Sequence, residues 1–120
     1  VESLRRTLEN NRNVMMQELN GFDGVHATKP DGTFYCFADF RYYTKLHKMN
    51  TKQLADFILE KVRVAVVPGI EFGMEGYFRL STCGSVKDIT EGIKRIKWAL
   101  DPNSPNELYI GQRKLVRDWV

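Results

Sequence analysis

Arg79 is the side chain whose type and place in this sequence most suggest chemistry. It sits inside Gly76-Tyr77-Phe78-Arg79-Leu80-Ser81, between apolar neighbours. A guanidinium among apolar residues costs free energy unless an anion meets it. Its planar fork donates two parallel hydrogen bonds to a carboxylate, which makes it the side chain of choice for holding one. The plainer reading is an arginine at a strand end in solvent, or one paired with an internal Asp or Glu. The residue by itself leaves both readings open.

The other reactive side chains do not assemble into a site by spacing. Cys36 and Cys83 stand far apart, which is neither a disulfide framework nor a zinc pattern, and they read as two buried, reduced thiols. His26 and His47 lack metal-ligand spacing and read as surface residues. Pro68-Gly69-Ile70-Glu71-Phe72-Gly73 lacks the lysine and Ser/Thr of a phosphate loop and feeds a strand, where phosphate loops open helices. It reads as a connection leading towards Arg79. Thr33–Phe40 is aromatic enough to stack bases, but the basic residue and glycine–aromatic alternation of RNA-recognition strands are missing. No nucleophile–base pair is supported.

The elements that must position Arg79 follow from periodicity. Leu4, Leu8, Met15 and Leu19 predict a helix over Glu2–Asn20, stopped at Gly21. Val25–Thr28 is a short strand candidate, and Lys29-Pro30-Asp31-Gly32 a turn. Thr33–Phe40 is apolar on both faces, so a central strand covered on both sides is expected. Arg41–Met49 reads as a connection, Asn50 or Thr51 as the cap of a helix ending near Lys61, and Val64–Val67 as a short strand. Tyr77–Cys83 is a strand with Tyr77, Arg79 and Ser81 on one face. Ser85 opens a helix whose stripe is Ile89, Ile93, Ile96 and Leu100, ended by Asp101-Pro102. Beyond it, Leu108, Leu115 and Trp119 suggest a helix while Gly111 argues against one.

The expected fold is α+β in two layers, a small mixed or antiparallel sheet of three to four strands with helices packed on it. The middle strand, helix and strand (Thr33–Val67) form one crossover. The expected division is a domain over residues 1–102 and a tail over 103–120 of uncertain structure.

Composition narrows the function classes. The 120 residues fit one domain, and 42% hydrophobic with 12% aromatic residues give it a core to bury. A net charge of +3 is too mild to argue for nucleic acid. No apolar run approaches the roughly 20 residues of a membrane span. The chain opens on a charged, helix-like segment without Met or an apolar signal region, so a cytoplasmic piece of a longer protein is expected.

Lys29-Pro30-Asp31-Gly32-Thr33-Phe34-Tyr35, Val64-Ala65-Val66-Val67-Pro68-Gly69-Ile70-Glu71-Phe72-Gly73, Gly76-Tyr77-Phe78-Arg79-Leu80-Ser81 and Glu91-Gly92-Ile93-Lys94-Arg95-Ile96 follow one another in this order. Together they resemble the C-terminal small domain of class I/II (fold-type I) aminotransferases that use pyridoxal phosphate, above all the aspartate aminotransferase-like branch. The resemblance covers about residues 1–100. It implies that Arg79 clamps the substrate α-carboxylate and that Phe34 lines the substrate cleft. It also implies an amino acid and a 2-oxo acid as substrates, a large cofactor-binding domain in the same chain, and a homodimer. The cofactor, its Schiff-base lysine and its phosphate contacts would lie in that large domain, because the Ser-Lys pair followed by Gly-x-Arg does not occur here. This chain alone is therefore expected to hold no cofactor or metal and to be inactive. Where the large domain packs, Met15, Tyr35 and Phe72 are expected to border an apolar patch. The competing reading is a non-enzymatic α/β binding module, RNA-binding or regulatory, which predicts an exposed aromatic sheet face with basic neighbours.

Overall fold

The computed structural model describes residues 2–28, 35–81 and 84–119. Helix α1 (Glu2–Asn20) leads through strand β1 (His26–Thr28) to β2 (Tyr35–Asp39). Helices α2 (Arg41–Leu46) and α3 (Thr51–Val62) follow, then β3 (Val67–Pro68), a 3-10 turn (Gly69–Phe72) and β4 (Tyr77–Ser81). Helix α4 (Val86–Leu100) precedes a hairpin of β5 (Glu107–Ile110) and β6 (Arg113–Val116).

The main sheet has the order β1-β2-β4-β3 with every neighbouring pair antiparallel. Strands β2 and β3 thus run parallel on either side of β4, and α3 makes the expected crossover between them. One face of the sheet is buried. Ala27, Cys36, Ala38, Phe78 and Leu80 meet Met15 and Leu19 of α1, Leu54 and Ile58 of α3, and Ile89, Ile93 and Ile96 of α4. Each fully buried Leu or Ile contributes about 1.5–3 kcal/mol of transfer free energy, so these helical stripes hold the layer together.

The caps agree with the sequence. The Asn50 side chain accepts from the Gln53 N–H while the Gln53 side chain accepts from the Asn50 N–H, a complete capping box. The Ser85 hydroxyl accepts from the Asp88 N–H at 3.0 Å.

Several expectations are corrected. Arg41–Leu46 is helical, although Phe40 offers no capping side chain. Tyr43 anchors it instead, buried against Phe22 and Phe40 and donating its hydroxyl to the Asp23 carbonyl at 2.6 Å. Val64–Val66 forms no strand, because Arg63 ends α3 in the left-handed region (φ 60°) and pairing with β4 begins only at Val67. Pro68, which has no N–H to donate, sits on the edge strand, where it is tolerated. His47 is half-buried, its Nε2 at 2.8 Å from the Leu100 carbonyl. Met15 is buried, only 3% exposed, and packs in the core. The Phe72 side chain, Cys83 and Phe34 lie outside the described residues.

The segment after α4 is a hairpin, not a helix. Register Ile110↔Arg113 leaves a two-residue loop whose first member, Gly111, has φ 63°. Glycine in that position suits a tight hairpin turn. The hairpin is fastened by Arg117, 4% exposed, whose guanidinium donates to the carbonyls of Trp98 (2.5 Å), Asp101 (2.6 Å), Pro102 (3.2 Å) and Ser104 and to Asn106 Oδ1 (3.2 Å). Carbonyls at a helix C-terminus lack intrahelical donors, and here one cation supplies them.

Candidate functional site

Strand alternation puts Arg79 on the sheet face away from the helices. Its cross-strand neighbours are Phe37 on β2 and Val67 on β3. The same face carries Tyr35 and Asp39 from β2 and Tyr77 and Ser81 from β4. These residues are half-buried or exposed, and Tyr35 retains 39% of its surface. The expectation that β2 is covered on both sides is thus corrected. Only the Cys36–Ala38 face meets helices, because α1, α3 and α4 all pack on that side. The open face is aromatic with arginine neighbours, the feature attached above to the binding-module reading, so exposure by itself does not separate the two readings.

The Arg79 guanidinium carbon lies 4.5 Å from the centroid of the Tyr35 ring, a cation–π distance. At the other end of the face, Arg41 grips Asp39: Nε donates at 3.0 and 3.1 Å to its two oxygens, and Nη2 at 2.7 Å to Oδ2. The Arg41 N–H also donates to Asp39 Oδ1 at 2.9 Å, a local turn that starts α2. This hydrogen bonding to Arg41, opposed by partial burial, holds the Asp39 carboxyl below its ordinary value, and the same contact raises Arg41. Arg41 also lies over the Tyr77 ring at 5.4 Å.

The entry to β4 is pinned from behind. The Thr51 hydroxyl accepts from the Gly76 N–H at 2.6 Å and donates to Glu75 Oε1 at 2.6 Å. The Gly76 carbonyl accepts from the Phe40 N–H at 2.8 Å. Gly76 has φ 86°, and a Cβ there would stand 2.3 Å from Arg41 Cγ. Only glycine accommodates both the conformation and the arginine stem. The start of α3, the end of β2 and the start of β4 therefore meet at one point, three residues before Arg79.

Of the residues singled out in the sequence, Arg79 is seen on this face, and Phe34 lies outside the described residues. The sequence puts Tyr77 on the same strand face as Arg79 and Tyr35 at a docking patch, but it does not attach Tyr35, Asp39 or Arg41 to Arg79. Alternation alone puts Tyr35 and Asp39 on one face, but only the β2–β4 register sets that face beside Arg79.

The sequence profile of the aminotransferases of class I and II matches residues 1–96, and the chain belongs to that family. The chain is 43% identical over 101 residues to the "Probable aspartate/prephenate aminotransferase" of Aquifex aeolicus, across 84% of this chain and 25% of the relative. The fold superimposes on the aromatic aminotransferase of Pyrococcus horikoshii OT3 with a TM-score of 0.72 and 32% identity, covering 82% of this chain and 26% of that one. A PLP-bound protein of Clostridium difficile 630 is also similar, at TM-score 0.71 and 26% identity over 83% of this chain and 26% of that one. The chain thus spans about a quarter of the length of the relatives it matches.

Family members use pyridoxal phosphate. Such a cofactor needs a lysine amine to bond its aldehyde and a nest of N–H and hydroxyl donors for its phosphate. The described residues around Arg79 offer no lysine, and their one strand carboxylate is already engaged by Arg41. This face does not fit the cofactor. A guanidinium 4.5 Å from an aromatic ring, on a strand face that also carries Tyr77 and Ser81, is the chemistry that suits a carboxylate.

Proposed function

We propose that this chain forms the substrate-carboxylate side of a pyridoxal-phosphate-dependent aminotransferase, which moves an amino group from an amino acid to a 2-oxo acid. The observation that carries the reading is Arg79: mid-strand, on the open sheet face, lying over Tyr35. A fork held this way accepts the α-carboxylate through two charge-assisted hydrogen bonds and fixes the direction of the bonds at Cα. The cofactor supplies the electron sink, held by parts of the protein beyond these residues. In this reading the open face of β2 and β4 meets a cofactor-binding domain, Phe34 lines the cleft, residues 1–102 form the domain and 103–120 an appendage to it. The protein works as a cytoplasmic homodimer, with no nucleic acid or membrane as partner.

The test is Arg79→Ala in the complete enzyme. Cofactor content is expected to stay unchanged while kcat/KM for amino acids falls by a barrier of several kcal/mol, on the order of a lost bidentate charge-assisted contact. For an amine lacking the α-carboxylate the loss is expected to be much smaller. Equal losses on both substrates would mean that Arg79 only holds the strand.

A further inference from the structure

We propose that the groove between α4 and the free edge of β5 receives an extended acidic segment of a partner protein, which adds to the hairpin as a third strand. The hairpin lies beyond the residues 1–96 matched by the family profile, and the inference does not rest on the role proposed for Arg79. It begins with the backbone. The Arg117 N–H donates to the Asn106 carbonyl at 2.9 Å, which continues the register Glu107↔Val116. Bonded and non-bonded pairs alternate along an antiparallel ladder. Leu108 and Ile110 therefore bond to β6, while the backbone groups of Glu107 and Tyr109 point to the outer edge. Among the described residues, β6 is the single strand neighbour of β5. An open edge is a template for a further strand unless charge blunts it. β6 carries Arg113 and Lys114, whereas β5 runs Leu108-Tyr109-Ile110.

A cleft of about 670 Å³ runs beside β5. Residues 108–111 line it one after another, although alternate side chains of a strand point to opposite faces. A cleft along the strand edge meets that condition, and one against a single face does not. The opposite wall is one face of α4, with Lys87, Glu91, Lys94 and Arg95 at helical spacing. The charges select the occupant. Glu91 is answered by Arg95 at 2.7 Å, and Glu107 by Lys114 at 3.0 Å. Lys87 and Lys94 are exposed and form no ion pair among the described residues. Two helical turns set them about 10 Å apart along the axis, and a four-residue strand such as β5 spans about the same length. Leu108 and Leu115 pack against the core, while Tyr109 and Val116, 64% and 61% exposed, occupy the outer face. A third strand thus sends alternate side chains towards the lysines and beside Tyr109. Acidic residues suit the first set and apolar residues the second. A second copy of this chain paired through β5 would bring like lysines together, so an acidic partner is favoured over self-pairing.

The experiment uses the complete enzyme that contains this chain and the fluorescence anisotropy of three labelled hexapeptides. One alternates glutamate and valine, one alternates lysine and valine, and the third is the first with every amide N-methylated, which keeps its charge and removes its donors. The glutamate peptide is expected to bind about tenfold tighter than either of the others. Reversing the groove with Lys87→Glu and Lys94→Glu together is expected to weaken it about tenfold and to favour the lysine peptide. Tyr109→Pro removes an outward N–H that β6 does not use, and a loss of about fivefold is expected. Equal affinity for the methylated peptide overturns strand addition. An affinity that the charge reversal leaves unchanged overturns the placement. No binding of the glutamate peptide at about 1 mM, or tighter binding of a single-stranded oligonucleotide of equal charge, overturns the occupant. Self-association that Tyr109→Pro abolishes puts a second copy on the edge and overturns it too. Where a variant does not fold, the three peptides on the parent enzyme decide.

Discussion

At the scale of single residues, the carboxylate role proposed for Arg79 would fall to its fork and to the ring beneath it together. The guanidinium would supply the hydrogen bonds, and Tyr35, 4.5 Å away, a flat, polarisable seat. In the complete enzyme, Arg79→Lys is expected to recover only part of what Arg79→Ala loses, because an ammonium is a point charge without a planar fork. Tyr35→Phe is expected to keep amino-acid efficiency near the parent, and Tyr35→Leu to lower it by up to about 1 kcal/mol in barrier, the scale of an exposed cation–π contact; steady-state kinetics on both variants checks this. Tyr43 offers a second residue-scale test. Burial, the leading cause, pushes its phenol above the ordinary value of 10.0. The folded state therefore keeps the proton where the unfolded state loses it. The resulting stabilisation is complete below about pH 10 and declines as pH rises through the gap towards the folded value. Tyr43→Phe is expected to cost about 1 kcal/mol at neutral pH for the lost hydrogen bond to Asp23 and to flatten the alkaline fall in Tm. An unchanged slope of Tm above pH 10 in the variant would contradict the assignment.

At the scale of elements, two junctions hold neighbouring elements together. The first is the meeting of β2, β4 and α3 at Gly76. Gly76→Ala brings a Cβ to 2.3 Å from Arg41 Cγ at a φ of 86°. Its expected cost is about 1–3 kcal/mol from backbone strain and displaced side chain. The fall in the urea midpoint measures it. The second junction is Arg117 at the end of α4. Replacing it by Leu leaves the Trp98 and Asp101 carbonyls without their donor, and a loss of about 3 kcal/mol or more is expected. Arg117→Lys, with fewer donors on one nitrogen, is expected to recover less than half. Chemical denaturation measures both. A loss within the ordinary range of surface substitutions, about 0.5 kcal/mol, would mean that the hairpin is held by Trp119 and Trp98, which donate to Ala99 and Pro105.

At the scale of the whole molecule, the described helices α1, α3 and α4 pack on one face of the main sheet. The principal extents are 46 × 38 × 21 Å. A thickness of 21 Å is what one helix layer of about 10–12 Å and one sheet layer of about 10 Å make together. A covering element on the second sheet face would thicken the slab. The open face joins Tyr35, Phe37 and Tyr77 with two arginines, and apolar faces of this kind belong to interfaces. The 120-residue chain alone is accordingly expected to self-associate reversibly. Sedimentation of an ideal monomer at high concentration would count against an interface there. Pyridoxal phosphate added to the same chain is expected to give no stoichiometric adduct on a single lysine after borohydride reduction; one such adduct would contradict the carboxylate-only reading of the face.

What could be read along the chain was whatever depends on near neighbours. The spacing of Ile89, Ile93, Ile96 and Leu100 defines α4, Ser85 and Asn50 define their caps, and the apolar neighbours of Arg79 mark it as unusual, because helical periodicity, capping and burial cost act over a few residues. The family motifs are equally local strings, and the profile match over residues 1–96 agrees with them. The tertiary structure decided what depends on pairing. Both faces of Thr33–Phe40 are apolar in sequence, and only the packing of all three long helices on one side leaves the other open. Tyr35 and Asp39 join Arg79 through the register of β2 on β4, and a shift of one residue would turn both to the opposite face; Arg41, the first residue of α2, reaches them through Asp39. Arg117 stands many residues from the carbonyls it caps, and no local pattern announces it; the long-range closure of the hairpin onto α4 brings donor and acceptors together.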